Sequence, residues 1–396
     1  MDSRASKYLP TQPVILALRF VIVWMWSAFL VVHAQFNYVT NNGAITITGY
    51  SGGPGSVLIP ETINGLSVSS IAASAFETNA DVTNVAIPKT VRSIGTASFA
   101  SCVNLVTLDV DPQNSNYKSR DGVLYSAGLD LLIQCPGGKR GGFVGPDGLT
   151  SVGSKAFAFC AGLTNVTLPN SVTSIGDNAF ANCSGLTSFV IPLGITSISN
   201  ATFSSCSRMG SISIPTSVTN IGDYAFTFCG LTNVVLPDGV RTIGNVAFAY
   251  CSKVMRAWIP KSVTSIGTFA FSSCSALREL YFAGDCPAIG ASAFSNANQA
   301  TVFYFAGTTG WDSFASRPAI LWNAAIVSDD TNFGGTENKF GFTITGNSGL
   351  TVVVEFSSSL ENPNWETTYT NTVPGGLLYR DAAPVGASGF YRLRSP

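Results

Sequence analysis

The chain has 396 residues, 46% of them hydrophobic and only 11% charged, with Lys+Arg 21 against Asp+Glu 22 for a formal net charge of −1. That balance suits a well-packed chain. It excludes a nucleic-acid binder, which needs a clustered excess of Lys and Arg to hold phosphates.

Residues 1–34 read differently from the rest. Arg4 and Lys7 precede an apolar run from Phe20 to Val32, and Ala34 supplies a small residue behind it. This is the layout of a secretory signal peptide cleaved after Ala34; the alternative, an uncleaved anchor across Val14 to Val32, would have to bury Arg19. Cleavage would remove His33, the single histidine. Without imidazole, Ser-His and Cys-His nucleophilic catalysis, His bases and His-ligated metals all drop out. The expected location is secreted or cell-surface, with membrane contact only through the signal segment or surface attachment.

Residues 35–60 alternate across an Asn42-Gly43 turn, as in "FNYVTNNGAITITGY", and are predicted to form an N-terminal β cap. Residues 61–300 then repeat. Phe76, Phe99, Phe157, Phe180, Phe203, Phe226, Phe248, Phe271 and Phe294 follow at 23-residue steps, except one of 22 and one of 58. A fixed period of this size signals a solenoid. In the unit "LTNVTLPNSVTSIGDNAFANCSG", Leu163, Val166 and Leu168 alternate like a short strand and Val172 and Ile175 belong to a second extended segment. Pro169 separates the two by removing a donor, and Gly176 is assigned the tight turn before Ala179 and Phe180. One unit cannot bury these groups; stacked units can.

Seven Cys lie three residues after the Phe: Cys102, Cys160, Cys183, Cys206, Cys229, Cys251 and Cys274, with Asn79 and Ala297 in the same column of the terminal units. Adjacent coils at about 4.8 Å would put neighbouring Cys within disulfide reach, but equivalent side chains in stacked coils point the same way. The column is odd in number and accepts Asn and Ala, so it reads as a ladder of buried free thiols, with partial disulfides and then a metal-thiolate site the lesser alternatives. Cys135 and Cys286 stand outside it, and their spacing leaves pairing open.

The pattern I-P-x-x-V-x-x-I-G-x-x-A-F-x-x-C resembles the BspA-like leucine-rich repeat family, departing from it at Ser199 and Thr202. The resemblance implies a mainly β fold: a leucine-rich-repeat solenoid of about nine 23-residue units, capped at both ends. It also implies a secreted or surface protein that binds other macromolecules, and no reaction. The 58-residue step holds an insertion, residues 109–146, in which Asp121-Gly122 marks a β-hairpin; the family often carries one. The neighbouring Asp109, Asp111, Asn114 and Asn116 lack EF-hand spacing and are assigned to turns, so no metal and no cofactor are expected.

Between the apolar strand residues, outward columns run across the coils. They are small and polar until Arg256, Trp258, Glu279 and Tyr281, which form the candidate binding patch, either for a partner or for the chain's own tail. Residues 301–323, with Trp311 and Trp322, should close the solenoid. Residues 324–396 break the repeat into short alternating strands, a small C-terminal antiparallel β domain in which Trp365, Tyr369 and Tyr391 are assigned to the core. The sequence thus points to an exported, non-enzymatic scaffold that recognises an extracellular protein or glycan in adhesion or matrix contact. The alternatives are a carbohydrate-active β-solenoid enzyme, which would need a local cluster of carboxylates with Lys or Arg, and a purely structural envelope component.

Overall fold

The computed structural model describes residues 35–394, except 313, 316, 318, 324, 328–333, 337–338, 346–349, 358–363, 374–376 and 385–389. The expected signal segment therefore lies outside the described residues. Among those described, every regular element of the body is a β-strand, and there is no α-helix.

Each coil has three sides. A front strand comes first, as in Asn233–Val235, Arg256–Ile259, Glu279–Phe282 and Thr301–Phe305, which pair in parallel with Asn233 opposite Arg256, Arg256 opposite Glu279 and Glu279 opposite Thr301. A two-residue second strand follows, as in Ser197–Ile198, Asn220–Ile221, Thr242–Ile243, Ser265–Ile266 and Ala288–Ile289, again parallel. The third side is a run of turns carrying the Phe.

That third side is built from backbone strain that recurs in register. In each of the nine coils the residue two before the Phe and the residue two after it have φ between 51° and 65°, and none of the eighteen is Gly. Alternate amides can then face the next coil: Asn178, Phe180 and Asn182 donate to the carbonyls of Asn200, Thr202 and Ser204 at 2.9, 2.8 and 2.8 Å. The intervening amides of Ala179, Ala181 and Cys183 close turns on Gly176, Asn178 and Phe180. The turn expected at Gly176 does begin there, with its carbonyl accepting from Ala179, but its left-handed residue is Asn178. Gly176 itself is not left-handed; a Cβ there would meet the Ser154 backbone nitrogen at 2.6 Å, so its role is to let two coils approach.

Inside, the nine Phe are buried, and most stack with centroids 4.8 to 5.6 Å apart. The stack is longer than the repeat. Tyr50 of the N-terminal hairpin lies on Phe76 at 5.6 Å, and Phe314 packs against Phe294 at 5.4 Å. The hairpin Phe36–Asn41 and Ala44–Tyr50 turns at Asn42 and Gly43, both at positive φ, and its second strand pairs in parallel with Leu66–Ile71. At the other end, Ala319–Trp322 adds a last parallel strand, and Trp311 is buried between Phe282, Tyr304 and Phe314.

The insertion breaks both sheets at one level. Tyr117–Arg120 and Val123–Ser126 form the expected hairpin, turning at Asp121 and Gly122. Its second strand pairs antiparallel with Leu131–Gln134, which then runs parallel to Ser151–Val152. The insertion is therefore more than an excursion: its second half is an abbreviated coil. The Cys135 amide donates to Ala156 O at 2.7 Å, as the Phe157, Phe180 and Phe203 amides donate to the residue before the next Phe, so Cys135 holds a Phe position. The wedged hairpin divides the solenoid core into two clusters.

The tail has two antiparallel sheets. In one, Lys339–Thr345 pairs with Ala325–Val327, Gly334–Thr336 and Leu377–Pro384; in the other, Leu350–Ser357 lies between Glu366–Val373 and Phe390–Arg394.

Candidate functional site

The four patch residues are brought together, but not for solvent. Arg256 Nε donates to Glu279 Oε2 at 2.7 Å, Glu279 Oε1 accepts from Thr351 Oγ1 of the tail at 2.9 Å, and Tyr281 is only 1% exposed. Trp258 stacks on Tyr281 at 6.1 Å, and Tyr281 on Phe303 at 5.1 Å. Phe342, Ile344, Val352 and Val354 of the tail complete one apolar cluster with Tyr281 and Phe303. Of the two occupants weighed from sequence, the tail is the one in place, because its apolar strands and the aromatic columns each need cover. Burial pushes the Tyr281 phenol well above its ordinary value. Arg256 stays exposed, while Trp258 and Glu279 are half-buried at the rim. Tyr369 and Tyr391 pack at the edge of this cluster, and Trp365 lies under the Arg392 guanidinium at 4.3 Å.

The seven column cysteines are free and buried, as is Cys135, and Cys286 is free and half-buried. Each thiol donates to the carbonyl of the Phe in the preceding coil: Cys183 to Phe157, Cys206 to Phe180, Cys229 to Phe203 and Cys274 to Phe248, at 3.0 to 3.2 Å. Cys160 follows the abbreviated coil and uses the carbonyls of Cys135 and Pro136. The ladder ends at Arg317, whose guanidinium donates to Phe294 O at 2.6 Å and Ala297 O at 2.7 Å, where a next thiol would stand. Asn79, at the other end, accepts from the amides of Asp81 and Val82 instead.

A different surface comes from the strained turns. Among the described residues, five of the six large exposed aromatics are Phe159, Tyr224, Phe228, Tyr250 and Phe269, and all five occupy left-handed positions. Tyr224, Phe228, Tyr250 and Phe269 belong to three consecutive coils, and Phe228 and Tyr250 stack at 4.5 Å with planes 8° apart while remaining 50% and 49% exposed. Elsewhere the same columns hold Asn178, Asn182, Ala201 and Ser205. A bulky residue at positive φ is uncommon and costly, and a large apolar group in water gains nothing from burial. Sequence reading missed this cluster because these residues flank the Phe of each repeat, where period alone does not say which side chains leave the stack. The signal was present as aromatic departures at two columns that are otherwise small or polar.

Comparison with solved structures finds several matches. A leucine-rich repeat protein from Eubacterium ventriosum matches at 21% identity over 67% of this chain and 93% of its own, with a TM-score of 0.52. One from Bacteroides ovatus matches at 21% identity over 73% and 87%, with a TM-score of 0.46. A leucine rich cell surface protein from Faecalibacterium prausnitzii matches at 22% identity over 68% and 86%, with a TM-score of 0.36. Among curated proteins none matches. The family model of the BspA type leucine rich repeat region matches in six copies over residues 59–122, 142–255 and 209–315, more than half of the chain. The repeated strand, turn, Phe stack and thiol ladder are the physical content of that match: the chain belongs to the BspA type leucine-rich repeat family.

Proposed function

We propose that the chain is an exported, non-catalytic scaffold that holds an extracellular protein or glycan on its turn face. The observation that carries this reading is the exposed cluster of Tyr224, Phe228, Tyr250 and Phe269, four aromatics kept at strained left-handed positions by a rigid stack of coils. Aromatic side chains on a rigid frame give large contact area at low entropic cost. The layout of residues 1–34 supports export, and family membership supports a repeat scaffold.

The test is an array of glycans and extracellular-matrix proteins probed with the chain and with a Phe228→Ser, Tyr250→Ser double variant. Loss of the two stacked rings is expected to weaken binding about tenfold or more, as for hot-spot residues. The melting temperature should stay nearly unchanged, because the rings pack on each other in solvent. Equal array signals from the two proteins, or a chain that binds nothing on the array, would remove the reading.

A further inference from the structure

The break in the solenoid leaves a front strand with one edge turned to the inserted hairpin rather than to another coil's strand. Gly141–Val144 pairs in parallel with Leu163–Thr167, and among the described residues no strand pairs with its other edge, where the hairpin turn at Asp121 and Gly122 lies instead. Gly141 and Gly145 donate their amides toward the Leu163–Thr167 side, to Gly162 O and Thr167 O at 2.9 Å each. Alternate residues of a parallel strand turn both N–H and C=O to opposite neighbours. Gly142 and Val144 therefore direct their backbone groups away from the sheet, into a cavity of about 570 Å³ that the wedged hairpin holds open. Its volume is in the range of ordinary ligand sites.

The walls of this cavity carry chemistry. Arg120 and Lys139 line one end with Asp121, and Lys139 is held there by donating to Asp121 O at 2.6 Å. Asp147 lines the other end, beyond Pro146. The Arg120 side chain is exposed and makes no hydrogen bond or ion pair among the described residues. Tyr125 also lines the cavity at 2% exposure, and its hydroxyl has no hydrogen-bond partner among the described residues. Its hydroxyl is not sealed off and opens on the cavity, where it is free to donate to an incoming group.

We propose that this cavity binds a short extended peptide, about as long as the four-residue strand Gly141–Val144, which adds as an antiparallel strand to this unpaired edge. The edge supplies N–H and C=O groups at strand spacing, which a peptide backbone matches and a sugar ring does not. The strand runs from Lys139 toward Asp147, so an antiparallel peptide puts its C-terminal end at Arg120 and Lys139 and its N-terminal end at Asp147. The site thus selects a carboxylate at the C-terminal end and an amine at the other, with the Tyr125 hydroxyl available to donate to the peptide. This site is separate from the aromatic turn face.

The experiment uses a pool of unlabelled tetrapeptides with lysine first, glutamate last and Val, Thr, Ser or Tyr between, applied to the immobilised chain with retention read by mass spectrometry. Retention is expected, with about a tenfold loss on Arg120→Ser and on amidation of the peptide carboxylates. Backbone N-methylation of the two central residues should abolish it. Tyr125→Phe should weaken retention severalfold with no fall in melting temperature. The Phe228→Ser, Tyr250→Ser variant should retain the pool fully, which separates this site from the turn face. No retention, equal retention on Arg120→Ser, or retention indifferent to N-methylation would overturn the proposal. So would a glycan that competes at this cavity while the peptides do not bind.

Discussion

Each column thiol sits against a carbonyl rather than against a second sulfur. The donor is weak, yet the alternative is an unpaired carbonyl in an apolar core, so Cys is a small residue that both fills and satisfies. Burial pushes the Cys102 and Cys251 thiols up from 9.0 to about 12. The sign follows from linkage. The folded state holds these protons more tightly, so the stabilisation is fully present below the unfolded value and is lost as pH rises toward the folded one. The urea midpoint should therefore hold steady from about pH 7 to about pH 9 and fall steeply toward about pH 11. Tyr281, also raised by burial, adds to the fall, so the readout is the comparison with Cys251→Ala. That variant should start less stable, with Phe226 O left unpaired, and lose less on going alkaline. Parallel pH profiles for the two proteins would show that the thiol does not titrate as described. At this scale the Phe and Cys columns were legible because identical residues recur in register. The turn at Gly176 was legible but the reason for its glycine was not, since sequence cannot tell a residue needed for a turn from one needed for close approach.

The coil is the element, and its strain lies where no side-chain rule points. Val246 shows the cost clearly: a β-branched residue held at φ 60°, half-exposed, in a column where another coil has Asn178. Closing the third side requires a left-handed backbone there whatever the residue, so the geometry is imposed by the stack and not by local preference. Asn tolerates this region and Val does not. Val246→Asn is expected to stabilise the chain by about 1 kcal/mol, seen as a higher urea midpoint at unchanged m-value. A destabilised variant would mean that Val246 contributes packing that outweighs its backbone strain. The same logic explains what the insertion concealed. Its hairpin was legible from Asp121-Gly122, a pair that fits positive φ at both turn positions. Its abbreviated coil was not, because Cys135 stands where other coils have Phe, and Gly141 stands opposite Leu163 at the start of the front strand, although Pro146 keeps the Pro that follows it.

At the level of the whole molecule, solenoid stability is close to a sum of neighbour contacts, so the two ends decide whether the stack is soluble. The last coils turn Trp258, Tyr281, Phe303, Ile320 and Trp322 to the front face or its rim, and the tail packs against them: Phe342, Ile344, Val352 and Val354 share one core with Tyr281 and Phe303. Outward columns could be read from the sequence, but what lies on them depends on the path of the tail, which strand alternation does not fix. The tail is thus part of the fold of the last coils rather than a module hung from them. A chain ending at Asn323 should bind a hydrophobic dye and self-associate through the uncovered aromatics, and its melting should split into an earlier phase for the C-terminal coils and a later one for the rest. Changing Trp258 and Tyr281 to Ser in the shortened chain should restore solubility, whereas the same changes in the full chain should loosen the tail and lower its melting temperature. If the shortened chain stayed monomeric, bound no dye and melted like the full one, the tail would be a separate domain, and the front patch would return as a surface open to a partner.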